Sequence, residues 1–185
     1  GFGPPAFSFS GFGLNLLDVA NAGRLDAFVA NGHVLEVPHL QGVTYAERPL
    51  LMHNDGKGRF VERGCGEPFR RATVARGSAT ADFDNDGDVD IAVSNSGGPL
   101  ELLENEGRHG GWVGFVLVGR RSNRQGVGAR ITLTTDAGRQ VRETHAGESY
   151  LSSCDPRVHF GLGAASPRRA EIRWPSGIVQ VIDAP

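Results

Sequence analysis

Five aspartates crowd into the nine residues from Asp82 to Asp90, at Asp82, Asp84, Asp86, Asp88 and Asp90, with Gly87 among them. Counted from Asp82, carboxylates occupy positions 1, 3, 5 and 9, and glycine occupies position 6. Calcium is a hard cation that takes about 6–8 oxygens at about 2.3–2.6 Å. Alternate residues of a tightly curled loop can turn their carboxylates to one centre, and position 7, Asp88, can add its backbone carbonyl. Gly87 permits the sharp reversal without a Cβ penalty. Carboxylates packed this closely repel without a cation, so the spacing predicts a bound Ca2+. An EF-hand would need a bidentate Glu at position 12 and a helix on either side. Position 12 is Val93, inside an apolar β-branched run, which excludes that motif. The plain alternative is an acidic surface turn with no metal.

Arg120, Arg121, Arg124 and Arg130 form the basic cluster, placed at the end of one expected strand and the start of the next. They could grip an anionic glycan or an acidic protein partner; the alternative is a solvated loop with some of them paired to carboxylates. Gly126-x-Gly128 lacks the third glycine and the following helix of a phosphate loop, and reads as a turn into the strand at Ala129. His145, Ser149, Ser152 and His159 are hydrolase residue types, but no G-x-S-x-G elbow surrounds either serine, and Ser176 sits in a turn. His33, His53 and His109 are scattered without zinc spacing. Trp112 and Trp174 read as core residues rather than sugar platforms. Cys65 and Cys154 permit one intramolecular disulfide, and two free thiols remain an equal alternative.

The elements that must hold these residues are announced by a repeat. Residues 18–31 match residues 82–95 at a constant offset of 64: Asp18 with Asp82, Gly23 with Gly87, Asp26 with Asp90, Asn31 with Asn95. A short apolar strand follows each loop. Ala20 and Ala22 replace the carboxylates at positions 3 and 5 of the first copy, so a metal is expected in the second copy alone. A looser echo joins Leu50–Gly56 to Leu102–Gly107, an apolar strand running into an Asn-x-Gly turn. The unit is a turn-and-strand module close to one four-stranded propeller blade. Two such units cannot close a ring that takes about 4–8 blades, so an incomplete β-propeller arc is expected. From Trp112 onward period-two alternation, as in Ala129, Ile131 and Leu133 against Arg130, Thr132 and Thr134, predicts half-buried strands of a small β-sandwich or barrel.

Composition agrees with an all-β chain: glycine (27) and proline (10) are frequent and helix-forming runs are absent. With 19 basic and 21 acidic residues the net charge is −2, which argues against a nucleic-acid-coating protein. No run approaches the roughly 18 apolar residues of a membrane span. The opening Gly1-Phe2-Gly3-Pro4-Pro5 suggests either a processed exported protein or a piece of a longer one.

These motifs carry a resemblance. Residues 75–107 resemble an FG-GAP/VCBS repeat, the calcium-loop blade of integrin-type propellers. Residues 112–183 resemble the ASPIC/UnbV domain of the cartilage acidic protein-like family, through Ser122-Asn123-Arg124, Gly126-Val127-Gly128-Ala129-Arg130, Gly147-Glu148-Ser149-Tyr150-Leu151-Ser152, His159-Phe160-Gly161-Leu162-Gly163 and Trp174-Pro175-Ser176-Gly177. The resemblance implies repeats over residues 1–108, a β-domain over 109–185, and calcium ligation at Asp82, Asp84, Asp86, Asp88 and Asp90. It also implies a non-enzymatic, extracellular or periplasmic module for adhesion or scaffolding. A structural subunit docked in a larger assembly is the second expectation, and a glycan-active enzyme the third.

Overall fold

The computed structural model describes residues 8–36, 44–64, 66–107 and 110–185. Its strands are β1 (Gly11–Leu17), β2 (Asp26–Asn31), β3 (Leu50–Asn54), β4 (Phe60–Glu62), β5 (Ala75–Ala81), β6 (Asp90–Asn95), β7 (Glu101–Leu103), β8 (Gly111–Phe115), β9 (Arg130–Thr135), β10 (Gly138–Glu143), β11 (Val158–Gly163), β12 (Pro167–Arg173) and β13 (Val179–Asp183). Among the described residues there is no α-helix; a single 3-10 turn spans Glu67–Phe69, so the chain is all-β. Antiparallel sheets form in the orders β1-β2-β3-β4, β5-β6-β7, β10-β9-β12-β13 and β8-β11. Cys65, Arg108 and His109 lie outside the described residues, and with Cys65 the choice between a Cys65–Cys154 disulfide and two free thiols lies outside them too.

The sequence repeat is a structural repeat to the residue. β5 and β6 begin and end 64 positions after β1 and β2. Leu17 faces Asp26 as Ala81 faces Asp90. The pairs Ala27–Met52, Phe28–Leu51 and Val29–Leu50 recur as Ile91–Leu103, Ala92–Leu102 and Val93–Glu101, an offset of 64 on one strand and 51 on the other.

The chain divides into two compact units. The described residues of Gly1–Val19, Arg24–Glu106 and Gly147–Cys154 make the first, and those of Ala20–Gly23, Gly107–Ala146 and Asp155–Pro185 make the second. The main division falls between Glu106 and Gly107, and two short segments cross it.

In the first unit, Leu17, Phe28 and Ala30 of the β1–β4 sheet pack with Ile91 and Val93 of the β5–β7 sheet in one apolar core. β1 and β5 approach closely: a Cβ on Gly13 would run into Ser78 Oγ and lie 2.9 Å from the Arg76 carbonyl, so only glycine fits there. The Gly147–Cys154 segment lies along these strands. Ser149 Oγ accepts the Leu14 N–H at 3.1 Å. It also meets Ser78 Oγ at 3.1 Å. Tyr150 packs edge-on to Phe12, with ring centroids 5.2 Å apart.

The second unit is a sandwich. Alternation along β9 and β12 turns Ile131, Leu133, Ala170 and Ile172 inward, against Phe115, Val158 and Phe160 of the β8–β11 pair. Among the described residues no sheet closes into a barrel, so of the two expected forms the sandwich holds. Trp174 packs against this core as expected. Trp112 does not: it is 43% exposed, with its indole 5.7 Å from the His159 ring in a stacked arrangement. Gly114, which pairs with His159 on the adjacent strand, leaves the room that the indole occupies.

Candidate metal centre

The turn between β5 and β6 is curled by its own aspartates. Asp84 Oδ1 accepts the Asp86 N–H at 3.2 Å, and Asp86 Oδ1 accepts the Asp88 N–H at 2.8 Å. Each bond closes a two-residue step of the kind Asp makes readily. Asn85 (φ 64) and Gly87 (φ 95) take the left-handed backbone that reverses the chain. The result gathers one carboxylate oxygen each from Asp82, Asp84 and Asp86 within 4.8 Å of one another. Asp82 is buried, while Asp84 and Asp86 are exposed. Two unit charges at such a separation repel by about 1 kcal/mol in water and about 3 kcal/mol at an effective dielectric of about 20.

The other two aspartates have different places. Asp90 is 2% exposed, and its carboxylate ties the loop ends together: Oδ2 accepts the Phe83 N–H at 3.0 Å and Oδ1 accepts the Asn105 N–H at 2.9 Å. Asp88 is buried and does not belong to the group of three.

The first repeat is an internal control. Asp26, the counterpart of Asp90, accepts the Asn54 N–H at 2.8 Å. Asn54 and Asn105 then donate from their side-chain amides to the equivalent carbonyls of Leu25 (3.1 Å) and Val89 (3.5 Å). Asn21 (φ 50) and Gly23 (φ 79) repeat the left-handed positions of Asn85 and Gly87. This loop is built with Ala20 and Ala22 where the second has Asp84 and Asp86. The first loop reaches its curl without carboxylates at those two positions, its Ala20 and Asn21 carbonyls accepting the Gly110 and Gly163 N–H groups at 3.4 and 2.5 Å. The staple from Asp90 to Asn105 escaped the sequence reading because its partners are 15 residues apart; the signal was the paired recurrence of Asp26 with Asn54 and Asp90 with Asn105.

Arg120, Arg121 and Arg124 lie exposed on the loop between β8 and β9, and Arg130 opens β9. The loop is closed on itself. Asn123 donates its side-chain amide to the Val127 carbonyl and accepts the Val127 N–H, both at 2.8 Å. Ser122 Oγ accepts the Ser176 N–H at 3.2 Å, fixing the loop to the turn after β12. Arg130 lies 3.7 Å from Glu143 in an exposed pair. Gly126 (φ 67) and Gly128 (φ 83) form the turn into β9: Gly126 O accepts from Ala129 N at 2.8 Å and from Thr144 Oγ1 at 2.5 Å.

The residues of hydrolase type have structural work. Ser149 is held by Leu14 and Ser78, and Ser152 Oγ donates to the Tyr150 carbonyl at 2.8 Å. His159 stacks on Trp112, and His145 is exposed. Cys154 accepts from Asn15 Nδ2 at 3.2 Å and Thr80 N at 3.4 Å, and burial pushes its thiol pKa up.

Comparison with known proteins places part of this chain. Residues 119–185 match the family model described as ASPIC and UnbV, and that stretch carries the domain. Cartilage acidic protein 1 of Homo sapiens is 33% identical over 116 residues, covering 60% of this chain. The Mus musculus protein of that name matches equally, and that of Xenopus tropicalis at 32%. The matched stretch spans 17% of the length of these relatives. Among the described residues no helix is long and apolar enough to cross a membrane.

Proposed function

We propose that this chain is a non-enzymatic, calcium-stabilised interaction module that works outside the cell or in the periplasm. One observation carries the reading: Asp82, Asp84 and Asp86 converge on a turn whose sister turn is built with alanine at the last two of those positions. Three carboxylates this close are costly as neighbours, and a cation held between them removes that cost. An all-oxygen donor set suits Ca2+, with water or the Asp88 carbonyl completing the shell. Asp90 then acts chiefly as the staple behind the site. In this reading residues 1–108 are FG-GAP/VCBS-like repeats and the metal fixes the geometry of the second.

The test is calorimetric titration of the chelated whole chain with Ca2+. One site per chain is expected, lost in Asp86→Ala. Two equivalent sites, or an unaltered Asp86→Ala protein, would refute the assignment.

A second reading, a structural subunit with a covered flank, is favoured by the way the repeats stack. The first sheet turns Phe28 and Ala30 toward the second, which receives them on Ile91 and Val93, the counterparts of Ala27 and Val29. The stacking thus runs in one sense, as in consecutive propeller blades. On the equivalent face of the first sheet Ala27, Leu50 and Met52 are already buried in a small core with Phe9 and Phe60, and the exposed part is the β1 flank bearing Leu14 (44% exposed) and Leu16 (56% exposed). An arc docked against a neighbouring blade would cover them, and sedimentation of the chain with its native partners distinguishes this from a free module.

A further inference from the structure

The basic cluster has a member that sequence spacing hides. On the β10-β9-β12-β13 sheet, Arg173 of β12 sits directly opposite Arg130 of β9. Like charges at facing positions of an antiparallel pair oppose each other. Both side chains point away from the sandwich core, because Ile131 and Ile172 beside them point into it. Along the same face Glu171 comes two residues on, opposite Thr132, and Arg169 four residues on, opposite Thr134. The Ser122–Ser176 hydrogen bond brings the loop bearing Arg120, Arg121 and Arg124 to the turn that begins just after Arg173. Five arginines therefore share one end of the sheet against two acids, Glu143 beside Arg130 and Glu171 two residues from Arg173. Arg130 aside, none of these five guanidinium groups has a hydrogen-bond or ion-pair partner among the described residues, whereas Ser122 and Asn123 of the same loop are engaged in holding it.

The charge of the chain is divided accordingly. Residues 110–185 hold 10 arginines, no lysine and 6 acids, a net of 10 − 6 = +4, so residues 1–109 carry 9 − 15 = −6 of the total of −2. Arginine presents a planar fork that binds oxyanions in bidentate fashion, which lysine cannot do.

We propose that this end of the sheet binds the sulfate and carboxylate groups of an anionic polysaccharide. The position decides against an acidic peptide. An extended peptide adds to a sheet at its edge, and here the edges are β10 and β13, whereas Arg130 and Arg173 stand on the two central strands. An open, flat face with several forked cations suits a chain that carries anions along its length. The proposal rests on the reading of the protein as an interaction module, but not on its metal.

The test measures binding of the whole chain to heparin, as a representative sulfated polysaccharide, by surface plasmon resonance with and without a calcium chelator. Affinity should fall at least about tenfold as ionic strength rises well above physiological, because exposed charges are screened within about 8 Å at 0.15 M. It should fall at least about tenfold in Arg130→Gln/Arg173→Gln, with Arg121→Ser/Arg124→Ser as a second, independent variant. Both variants should melt as the unaltered chain does, since surface changes cost little. Binding that survives chelation separates this site from the calcium reading. Heparin binding unchanged in both variants would overturn the proposal, as would equal affinity for poly-glutamate or duplex DNA.

Discussion

Asp90→Asn separates a structural aspartate from a metal ligand. The substitution keeps the shape of the side chain and exchanges one carboxylate oxygen for an NH2 group. Both oxygens are in use, on the Phe83 and Asn105 N–H groups at 3.0 and 2.9 Å, and the residue is 2% exposed. One backbone donor must then face another donor in a buried place. Hydrogen bonds to a charged group contribute about 1.5–3 kcal/mol, and an orphaned buried donor costs a similar amount. A loss of about 2 kcal/mol is therefore expected, which lowers the melting of a unit of this size by roughly 10 °C. The assay is thermal and urea unfolding in excess chelator, so that no metal contributes. Asp26→Asn, at 4% exposure, should lose less, because one oxygen alone accepts the Asn54 N–H at 2.8 Å and lies 3.0 Å from His53 Nδ1, and the amide can keep that oxygen in place. An Asp90→Asn protein as stable as the parent in chelator would show that Asp90 serves the metal alone, and the comparison between the two repeats would fail.

Gly13→Ala should destabilise by about 1–3 kcal/mol in urea unfolding, because the new methyl group has Ser78 Oγ and the Arg76 carbonyl in its place and must part β1 from β5. Phe28→Ala, at a fully buried position between the first two sheets, should cost about 3–5 kcal/mol by the same measurement. Burial raises the Cys154 pKa above its ordinary value of 9.0, so the native state holds the proton after the unfolded chain has lost it. Stability from this group is full below about pH 9 and declines above it. The melting difference between the parent and Cys154→Ala should shift against the parent between pH 8 and about pH 10.

Much of the repeat region was legible because its signals are local. Asp, Asn and Gly at fixed offsets specify the two curls, and the apolar runs after them give β2 and β6 their bounds. Roles set by distant residues were not legible. The bond from the Asn105 N–H to Asp90 was one, because only the fold brings Asn105 near. Trp112 looked like core because its size and apolarity suggest it, yet Gly114 gives the indole a place on the outer face. Ser149 and Tyr150 read as part of the C-terminal domain, yet they lie against Leu14, Ser78 and Phe12 in the first unit. Arg173 stood 43 residues from Arg130 and could join the basic cluster only through strand register.

On the calcium reading the second loop carries its extra carboxylates for calcium as well as for its curl. The direct measurement is the calcium dependence of melting in Asp84→Ala/Asp86→Ala, which gives the second loop the alanines of the first. For the parent, binding to the native state alone should add about 2.7 kcal/mol of stability at a hundredfold excess over Kd. The double variant should show no calcium response and should melt in chelator close to the chelated parent, since the relief of repulsion offsets the loss of the bonds that Asp84 and Asp86 accept from the Asp86 and Asp88 N–H groups. A calcium response that persists, or a variant that is strongly destabilised in chelator, would contradict the account.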